Sequence, residues 1–244
     1  MSGQRFYEST VMQNTLGQTL RPGGLELTKR ALEFCKFKAD DKLLDLGCGK
    51  GATIKYISDF YKVDICGLDI SESLAAAANE INKGAVIVVS SGENTPFVDD
   101  TFNGVFAECT LSLMDNLGKT INEINRIMKC GGCLIISDVY AKNTAYLEEL
   151  NRYSAETCLK NPHDLEKLKD LLNERGFKIL IEENYDNLMK QLVVDIIFGH
   201  NTMESFWNCT GCHCIDGAKF QESLRKSKLG YFLMIAKKEI NYVK

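Results

Sequence analysis

Residues 43–51 of this chain read LLDLGCGKG, a short apolar run that ends in a glycine-rich turn. Such a run predicts a buried strand, and glycines let the backbone that follows approach a ligand closely because they carry no Cβ. Residues 52–61 then predict a helix. Asp69 lies 22 residues after Gly47, at the end of the next apolar run. An acid at that place can accept hydrogen bonds from both ribose hydroxyls of an adenosine ligand.

The rest of the chain alternates short apolar runs with amphipathic segments. This alternation predicts a doubly wound, mostly parallel α/β sheet, whose ligands bind at the carboxyl ends of the strands. The predicted strands are 43–46, 63–68, 85–89, 102–107, 134–137, 177–181 and 231–237. The predicted helices are 24–38, 52–61, 71–82, 117–128, 143–159 and 164–175, with a further helical stripe over 188–197.

Composition narrows the class of protein. The 244 residues are 45% hydrophobic and 25% charged, which is typical of a globular domain and excludes fibrous and disordered classes. A net charge of −4 offers no positive field for a nucleic acid. Because no run approaches 18 apolar residues and residues 1–10 do not resemble an export signal, we expect a single cytoplasmic domain over 1–244 without membrane insertion.

The glycine turn alone does not decide between two adenosine cofactors. Gly47 and Gly49, followed by Ala52, also satisfy the dinucleotide pattern of a nicotinamide-dependent oxidoreductase. Asp45, just before the turn, suits a ligand that carries an ammonium group better than a pyrophosphate. The third glycine stands at position 51, where the dinucleotide pattern does not place it.

Four motifs, LDLGCGKG, GLDIS, SGENTPFVDDTFNGVFAECTLSL and EINRIMKCGGCLIISD, together resemble the class I S-adenosylmethionine-dependent methyltransferases. The chain is most similar to the branch that contains quinone-biosynthesis and arsenite methyltransferases. This resemblance implies a Rossmann-like, seven-stranded sheet whose last strand, 231–237, is antiparallel. We expect an N-terminal helical cap over 1–38, a cofactor-binding half over 39–140, and a substrate-side half over 141–244 with a helical, cysteine-rich insertion at 184–228.

The resemblance also implies roles for individual residues. The glycine turn would contact the methionine part of S-adenosylmethionine and of its product, S-adenosylhomocysteine. Asp69 would bind the ribose, and Ile70 would pack on the adenine. Glu108 would line the sulfonium side. The family usually has an acid for the adenine amino group where this chain has Ser91. The complete expected cofactor set is Asp45, Gly47, Cys48, Gly49, Gly51, Asp69, Ile70, Ser91, Gly92, Glu93 and Glu108.

The expected product is a methylated small molecule, and the sequence does not identify the acceptor. Methyl transfer from a sulfonium needs alignment and the exclusion of water, so no obligatory catalytic residue is predicted. Tyr7 and Gly24 belong to an N-terminal segment of the kind that folds over the cofactor in this fold class. A nicotinamide-dependent oxidoreductase and a metal-binding or metal-delivery module remain alternatives, and the oligomeric state is open.

The ten cysteines suggest a more specific acceptor. Cys158 lies where arsenite methyltransferases have a metalloid-binding cysteine. Cys209, Cys212 and Cys214 form a CxxCxC run that is half of a zinc site. Three interpretations stay open: a functional thiol site with Cys158, Cys212 and Cys214, a structural metal on the CxxCxC run, or reduced thiols that only pack. The spacing of Cys130 and Cys133 matches a redox motif, but packing is expected there.

Overall fold

The structure is a computed structural model that describes residues 6–8, 17–153, 157–200 and 217–239. Its centre is a seven-stranded sheet in the order β3-β2-β1-β4-β5-β7-β6. The strands are β1 (Lys42–Leu46), β2 (Asp64–Asp69), β3 (Ile87–Val89), β4 (Phe102–Glu108), β5 (Met128–Ala141), β6 (Phe177–Asn184) and β7 (Leu229–Lys238).

Helices flank the sheet, and most follow a strand directly. They are α1 (Glu26–Cys35), α2 (Ala52–Phe60), α3 (Glu72–Ile81), α4 (Leu117–Ile127), α5 (Leu147–Asn151), α6 (Leu165–Glu174), α7 (Asp186–His200) and α8 (Gly217–Ser227). Short 3-10 turns cover Phe6–Glu8, Leu111–Leu113 and Thr144–Tyr146. The described parts of the segment before the last strand, 186–200 and 217–227, form the helices α7 and α8. The cysteine-rich turn with Cys209, Cys212 and Cys214 lies outside the described residues.

The sheet confirms the predicted class and strand directions. The first five strands pair in parallel, and β7 runs antiparallel to both β5 and β6. Leu46 pairs with Leu68, and Glu108 pairs with Ser137. The carboxyl ends of β1, β2, β4 and β5 therefore meet at one edge.

The central strands are apolar on both faces because each face carries a layer of helices. In β1, Leu44 and Leu46 pack into one core cluster with Ile121 of α4. Leu43 points to the other cluster, with Leu32 of α1 and Ile54 of α2. This burial explains why the strand reads as a continuous apolar run rather than as an alternation. Across the described ranges, no helix combines the length and the apolarity that crossing a bilayer requires.

Two predicted elements differ most from the observed ones. In the described part of the helix expected over 143–159, the helical residues are those of the 3-10 turn at Thr144–Tyr146 and of α5. The chain must become extended soon afterwards, because His163 donates its N–H to the Val139 carbonyl at 2.9 Å and so bridges to β5. Strand β5 begins at Met128 rather than 134. The register slips between Phe102 and Gly104 of β4, so the glycine pair 131–132 forms a bulge within the strand.

Candidate active site

The glycine turn lies at the carboxyl end of β1 and is bonded to the end of β2. The N–H of Gly47 donates to the Leu68 carbonyl at 2.7 Å. Gly47, Gly49 and Gly51 all adopt left-handed backbone conformations, with φ of 75°, 52° and 76°. A Cβ on Gly47 would collide with the Thr110 hydroxyl. These glycines therefore allow a backbone path that other residues would strain.

Asp69 is fixed between the glycine turn and the start of α3. One carboxylate oxygen accepts the N–H of Gly49 and the other accepts the N–H of Ser71, each at 2.8 Å. Ser71 in turn caps α3 by accepting the Leu74 N–H at 3.1 Å. The next side chain, Ile70, is 54% exposed beside this carboxylate. An acid and an exposed apolar surface thus stand side by side, as a ribose and its base require.

An N-terminal segment connects the two sides of this edge. The Ser71 hydroxyl donates to Glu8 at 2.7 Å, and the Cys158 N–H donates to the Tyr7 hydroxyl at 3.2 Å. The segment 6–8 therefore touches both the Asp69 side and the Cys158 side. Gly24, the other expected N-terminal contact, accepts the Arg21 Nε–H on its carbonyl at 2.9 Å.

A buried ion pair joins the turn before α1 to the end of β4. Arg21 and Glu108 approach within 3.0 Å, and their side chains are 7% and 1% exposed. The hydroxyls of Thr28 and Thr53 donate to the two Glu108 oxygens at 2.8 and 2.9 Å. Glu108 was predicted, but Arg21, Thr28 and Thr53 were not. An arginine in a proline-glycine turn and two helical threonines carry no sequence signal that identifies such a network.

Asp45 lies buried just before the glycine turn. Burial, followed by repulsion from Glu108, raises the pKa of Asp45 to about 8, although Arg21 acts in the opposite direction. Asp69 adds a smaller repulsion. Glu108, Arg21 and Asp69 therefore all lie close enough to Asp45 to shift its pKa, and a cationic ligand beside Asp45 would favour its ionised form.

The remaining expected cofactor residues occupy the turn after β3. The Ser91 hydroxyl accepts the Glu93 N–H at 3.2 Å. The Glu93 carboxylate accepts the Asn116 N–H at 2.8 Å, at the start of α4. A Cβ on Gly92 would press on Met114. Cys48 is buried and packs with the core cluster of α1 and α2.

The loop after β4 is held by a buried acid that the sequence did not identify. Asp138 accepts the Ser112 N–H at 3.0 Å and the Ser112 hydroxyl at 2.7 Å. The His163 Nε2 lies 3.3 Å from Asp138 Oδ2, the same oxygen that accepts the Ser112 N–H. These bonds fix the loop that follows Glu108 against β5.

Cys158 meets a second thiol on this side. Cys109, directly after Glu108, has a left-handed φ of 53°, and its sulfur lies 3.3 Å from the Tyr231 hydroxyl. Hydrogen bonding with Cys158, together with burial, raises the pKa of Cys109 well above its ordinary value. The sequence predicted Cys158 as a substrate residue and Cys109 as core. Within the described ranges, no three His, Cys, Asp or Glu side chains are arranged to hold a metal ion.

Comparisons with known proteins agree with this architecture. Residues 44–136 match a family model described as a methyltransferase domain. The chain is 25% identical to phosphoethanolamine N-methyltransferase 3 of Arabidopsis thaliana over 70% of its length, which spans 36% of that protein. A phosphoethanolamine N-methyltransferase 2 structure from Haemonchus contortus superposes with a TM-score of 0.75 at 16% identity, covering 98% of this chain and 59% of that one.

A third comparison shows that a protein with a similar fold can be named for a different reaction. The structure of SpnF, titled a [4+2]-cyclase, matches with a TM-score of 0.72 at 20% identity, covering 88% of this chain and 81% of that one. Such likenesses establish the fold but not the acceptor or the reaction. The family-model match includes the glycine turn and Asp69, and together with this strand order it identifies residues 44–136 as a methyltransferase domain of the class I, S-adenosylmethionine-dependent type.

Proposed function

We propose that this chain binds S-adenosylmethionine at the glycine turn and transfers the methyl group to a small-molecule acceptor. The observation that carries the proposal is the Asp69 carboxylate, held by the Gly49 and Ser71 N–H groups beside the turn. Asp69 and Ile70 would hold the adenosine, and the turn with Asp45 would hold the amino acid part. The bound cofactor supplies an electrophilic methyl group on a sulfonium.

The charges at this edge fit that cofactor better than a dinucleotide. S-adenosylmethionine carries an ammonium and a sulfonium, whereas a pyrophosphate is anionic. Asp69 would repel a pyrophosphate, and so would Asp45 once it is ionised, whereas Arg21 is already paired with Glu108 and leaves no free cation to hold the phosphates. The same acids attract both cationic groups of S-adenosylmethionine. The sequence alternative of a nicotinamide-dependent oxidoreductase is therefore disfavoured on electrostatic grounds.

The chain's own contribution to the reaction is alignment and exclusion of water. The segment 6–8, anchored to Ser71 and Cys158, covers the edge of the sheet where the reacting groups would meet. The bonds from Ser112 to Asp138 keep the loop after Glu108 in place. A good leaving group already exists on the cofactor, so a base is needed only for an acceptor that must lose a proton.

Isothermal titration tests the cofactor assignment. S-adenosylhomocysteine is expected to bind one-to-one, and NAD is expected to give no heat under the same conditions. A ligand at a hundred times its Kd also stabilises the fold by about 2.7 kcal/mol, so a thermal shift provides a second readout. Binding of NAD alone would overturn the assignment. One equivalent of metal with no S-adenosylhomocysteine binding would favour the metal-delivery alternative.

The acceptor is proposed as either a thiol-bound or metalloid species or a small organic molecule. Cys109 and Cys158 belong to the same buried cluster, which supports the first, because two neighbouring thiols suit a soft acceptor. Small organic acceptors are supported by relatives named for phosphoethanolamine, and a sterol 4-C-methyltransferase of Caenorhabditis elegans is also similar. Cys212 and Cys214 stay predictions that lie outside the described residues.

Product analysis separates these acceptors. The protein is incubated with cofactor and, in turn, phosphoethanolamine, a quinol and a trivalent methylarsenical, and the product masses are recorded. If the thiols act, Cys158→Ser abolishes methylation of the arsenical and leaves S-adenosylhomocysteine affinity within about twofold. Cys66→Ser is the matched control. Unchanged arsenical methylation in Cys158→Ser would remove the thiols from the acceptor site.

Cofactor affinity is expected to depend on pH through Asp45. Its pKa of about 8 means that the carboxyl is protonated in the free protein at neutral pH. A ligand ammonium prefers the carboxylate, so binding releases a proton and affinity rises with pH, by at most about tenfold per unit between pH 6 and 7.5. Titrations of S-adenosylhomocysteine in that range measure the slope. Asp45→Asn is expected to flatten it, and an equal slope in both proteins would contradict the assignment.

A further inference from the structure

The loops after β1 and β4 are neighbours in space, because these two strands pair in parallel. The sheet order β3-β2-β1-β4-β5 also reverses its direction of growth between them. In open α/β sheets, ligands bind in the crevice that opens at such a switch point, outside the carboxyl ends of the strands. A polar side chain that enters this crevice from the β4 loop is therefore a candidate contact for the proposed cofactor.

Thr110, in the loop after β4, places its hydroxyl against the glycine turn. A Cβ on Gly47 would overlap Thr110 Oγ1, so the hydroxyl fills the space that a side chain at position 47 would need. Thr110 is 5% exposed, which puts the hydroxyl inside the crevice rather than on its rim. The two loops thus meet at this one oxygen atom and the glycine beneath it.

The backbone around Thr110 is held, whereas its hydroxyl is left available. The Cys109 N–H donates to the Ser137 carbonyl at 2.7 Å, and the Thr110 carbonyl accepts the Leu113 N–H at 3.0 Å. Thr110 precedes a 3-10 turn, yet its side chain makes no capping hydrogen bond there. Within the part of the chain that the structure describes, the hydroxyl has no hydrogen-bond partner, and its oxygen is not sealed from solvent. A ligand can therefore reach a hydroxyl whose position is already fixed.

The glycine turn uses its own donors within the protein. The N–H groups of Gly47 and Cys48 both donate to the Leu68 carbonyl, at 2.7 and 3.0 Å. The Gly49 N–H donates to Asp69 at 2.8 Å. The amino acid part of S-adenosylmethionine carries a carboxylate as well as an ammonium, and a carboxylate accepts hydrogen bonds but cannot donate them. A donor for that carboxylate must therefore come from outside these three N–H groups.

We propose that the Thr110 hydroxyl donates a hydrogen bond to the carboxylate of the cofactor and so selects ligands with an intact amino acid part. This inference rests on the proposed function and adds one residue to the same site. A threonine hydroxyl can donate as well as accept, so its hydrogen can turn toward a carboxylate. Asp45 is left for the ammonium, and Arg21 does not compete for the carboxylate because it is paired with Glu108.

Three ligands that differ in the group on the sulfur atom test this contact. They are S-adenosylhomocysteine, its decarboxylated form, which keeps the ammonium, and 5′-methylthioadenosine, which lacks both groups. Isothermal titration gives the Kd of each ligand for wild type and for Thr110→Val, which replaces the hydroxyl with a methyl group. The variant is expected to bind S-adenosylhomocysteine about 10- to 100-fold more weakly and the other two ligands within about twofold of wild type.

Each other result has a distinct meaning. Weaker binding of the decarboxylated ligand as well, with methylthioadenosine unchanged, would place the hydroxyl on the ammonium and overturn the proposal. An equal loss for all three ligands would make Thr110 a structural residue, and no loss would remove it from the site. Failure of wild type to bind S-adenosylhomocysteine at all would refute the proposed function, and this contact with it.

Two further variants and one control separate the hydroxyl from the shape of the side chain. Thr110→Ala cannot press on Gly47 and should show the same selective loss as Thr110→Val. Thr110→Ser keeps the hydroxyl and should bind S-adenosylhomocysteine within about threefold of wild type. The matched control is Thr120→Val, because Thr120 is buried on α4 and its hydroxyl donates to the Asn116 carbonyl at 3.1 Å. Its affinity for all three ligands should stay within about twofold of wild type.

Discussion

Replacing Arg21 with methionine is expected to lower the free energy of unfolding by about 3–5 kcal/mol, because the Glu108 carboxylate would stay buried without its cation. The Glu108 side chain is 1% exposed, and among the described residues the Thr28 and Thr53 hydroxyls would remain as its hydrogen-bond donors. Urea denaturation of the cofactor-free protein measures the loss. Arg21 also donates to the Gly24 carbonyl, so the variant releases the turn that leads into α1.

The matched control is Arg30→Met, which breaks a second arginine–glutamate pair. Arg30 binds Glu183 with both side chains about one-third exposed. Exposed pairs contribute about 0–1 kcal/mol, so this variant should unfold almost like wild type. The double variant Arg21→Met with Glu108→Leu should recover much of the lost stability, because an apolar pair leaves no buried charge. Equal losses from Arg21→Met and Arg30→Met would contradict the buried-charge argument.

The sequence does not show that Arg21 forms a buried ion pair whereas Arg30 forms an exposed one. Arg21 and Arg30 both lie near the start of α1, and each has many acids available elsewhere in the chain. Only the sheet order decides that Glu108, at the end of β4, meets the turn before α1. Long-range polar pairs depend on this packing, so periodicity and motifs cannot predict them.

The backbone of the cofactor edge was predictable because it depends on local rules. Apolar runs predicted the central strands, and the glycines predicted the turn after β1. In a parallel sheet the carboxyl ends meet, so Asp69 had to lie near that turn. The helix expected over 143–159 failed for the opposite reason. Its local pattern is helical, but the bridge from His163 to β5 requires an extended chain.

For the cysteines too, the sequence predicts some features and only the fold shows the others. The spacing of Cys130 and Cys133 was visible in the sequence, but only the fold shows that Cys133 and Cys35, from a different element, pack against the same apolar cluster. Cys158 was predicted as a substrate residue from its place in the chain, and its neighbour Cys109 became apparent only in the fold. Which cysteine meets which is decided by strand order and by the path of the 157–160 turn.

Asp69→Asn is expected to weaken S-adenosylhomocysteine binding by about 100-fold or more. Hydrogen bonds to a charged group contribute about 1.5–3 kcal/mol each, and the proposed ribose contact uses two of them. Asparagine has one acceptor oxygen, whereas the native carboxylate already accepts from both the Gly49 and Ser71 N–H groups. The substitution therefore loses charge at the ribose and also loosens the glycine turn. Isothermal titration at fixed pH gives the change in Kd.

Asp64→Asn is the matched control, because Asp64 is an exposed residue at the other end of the same strand. It removes the same charge from β2 without touching the glycine turn, and its affinity should stay within about twofold of wild type. Urea denaturation of Asp69→Asn shows whether the protein is still folded when binding is lost. A folded Asp69→Asn protein with wild-type affinity would mean that the ribose lies elsewhere. In that case Asp69 would serve only to join the glycine turn to α3 through its two backbone hydrogen bonds.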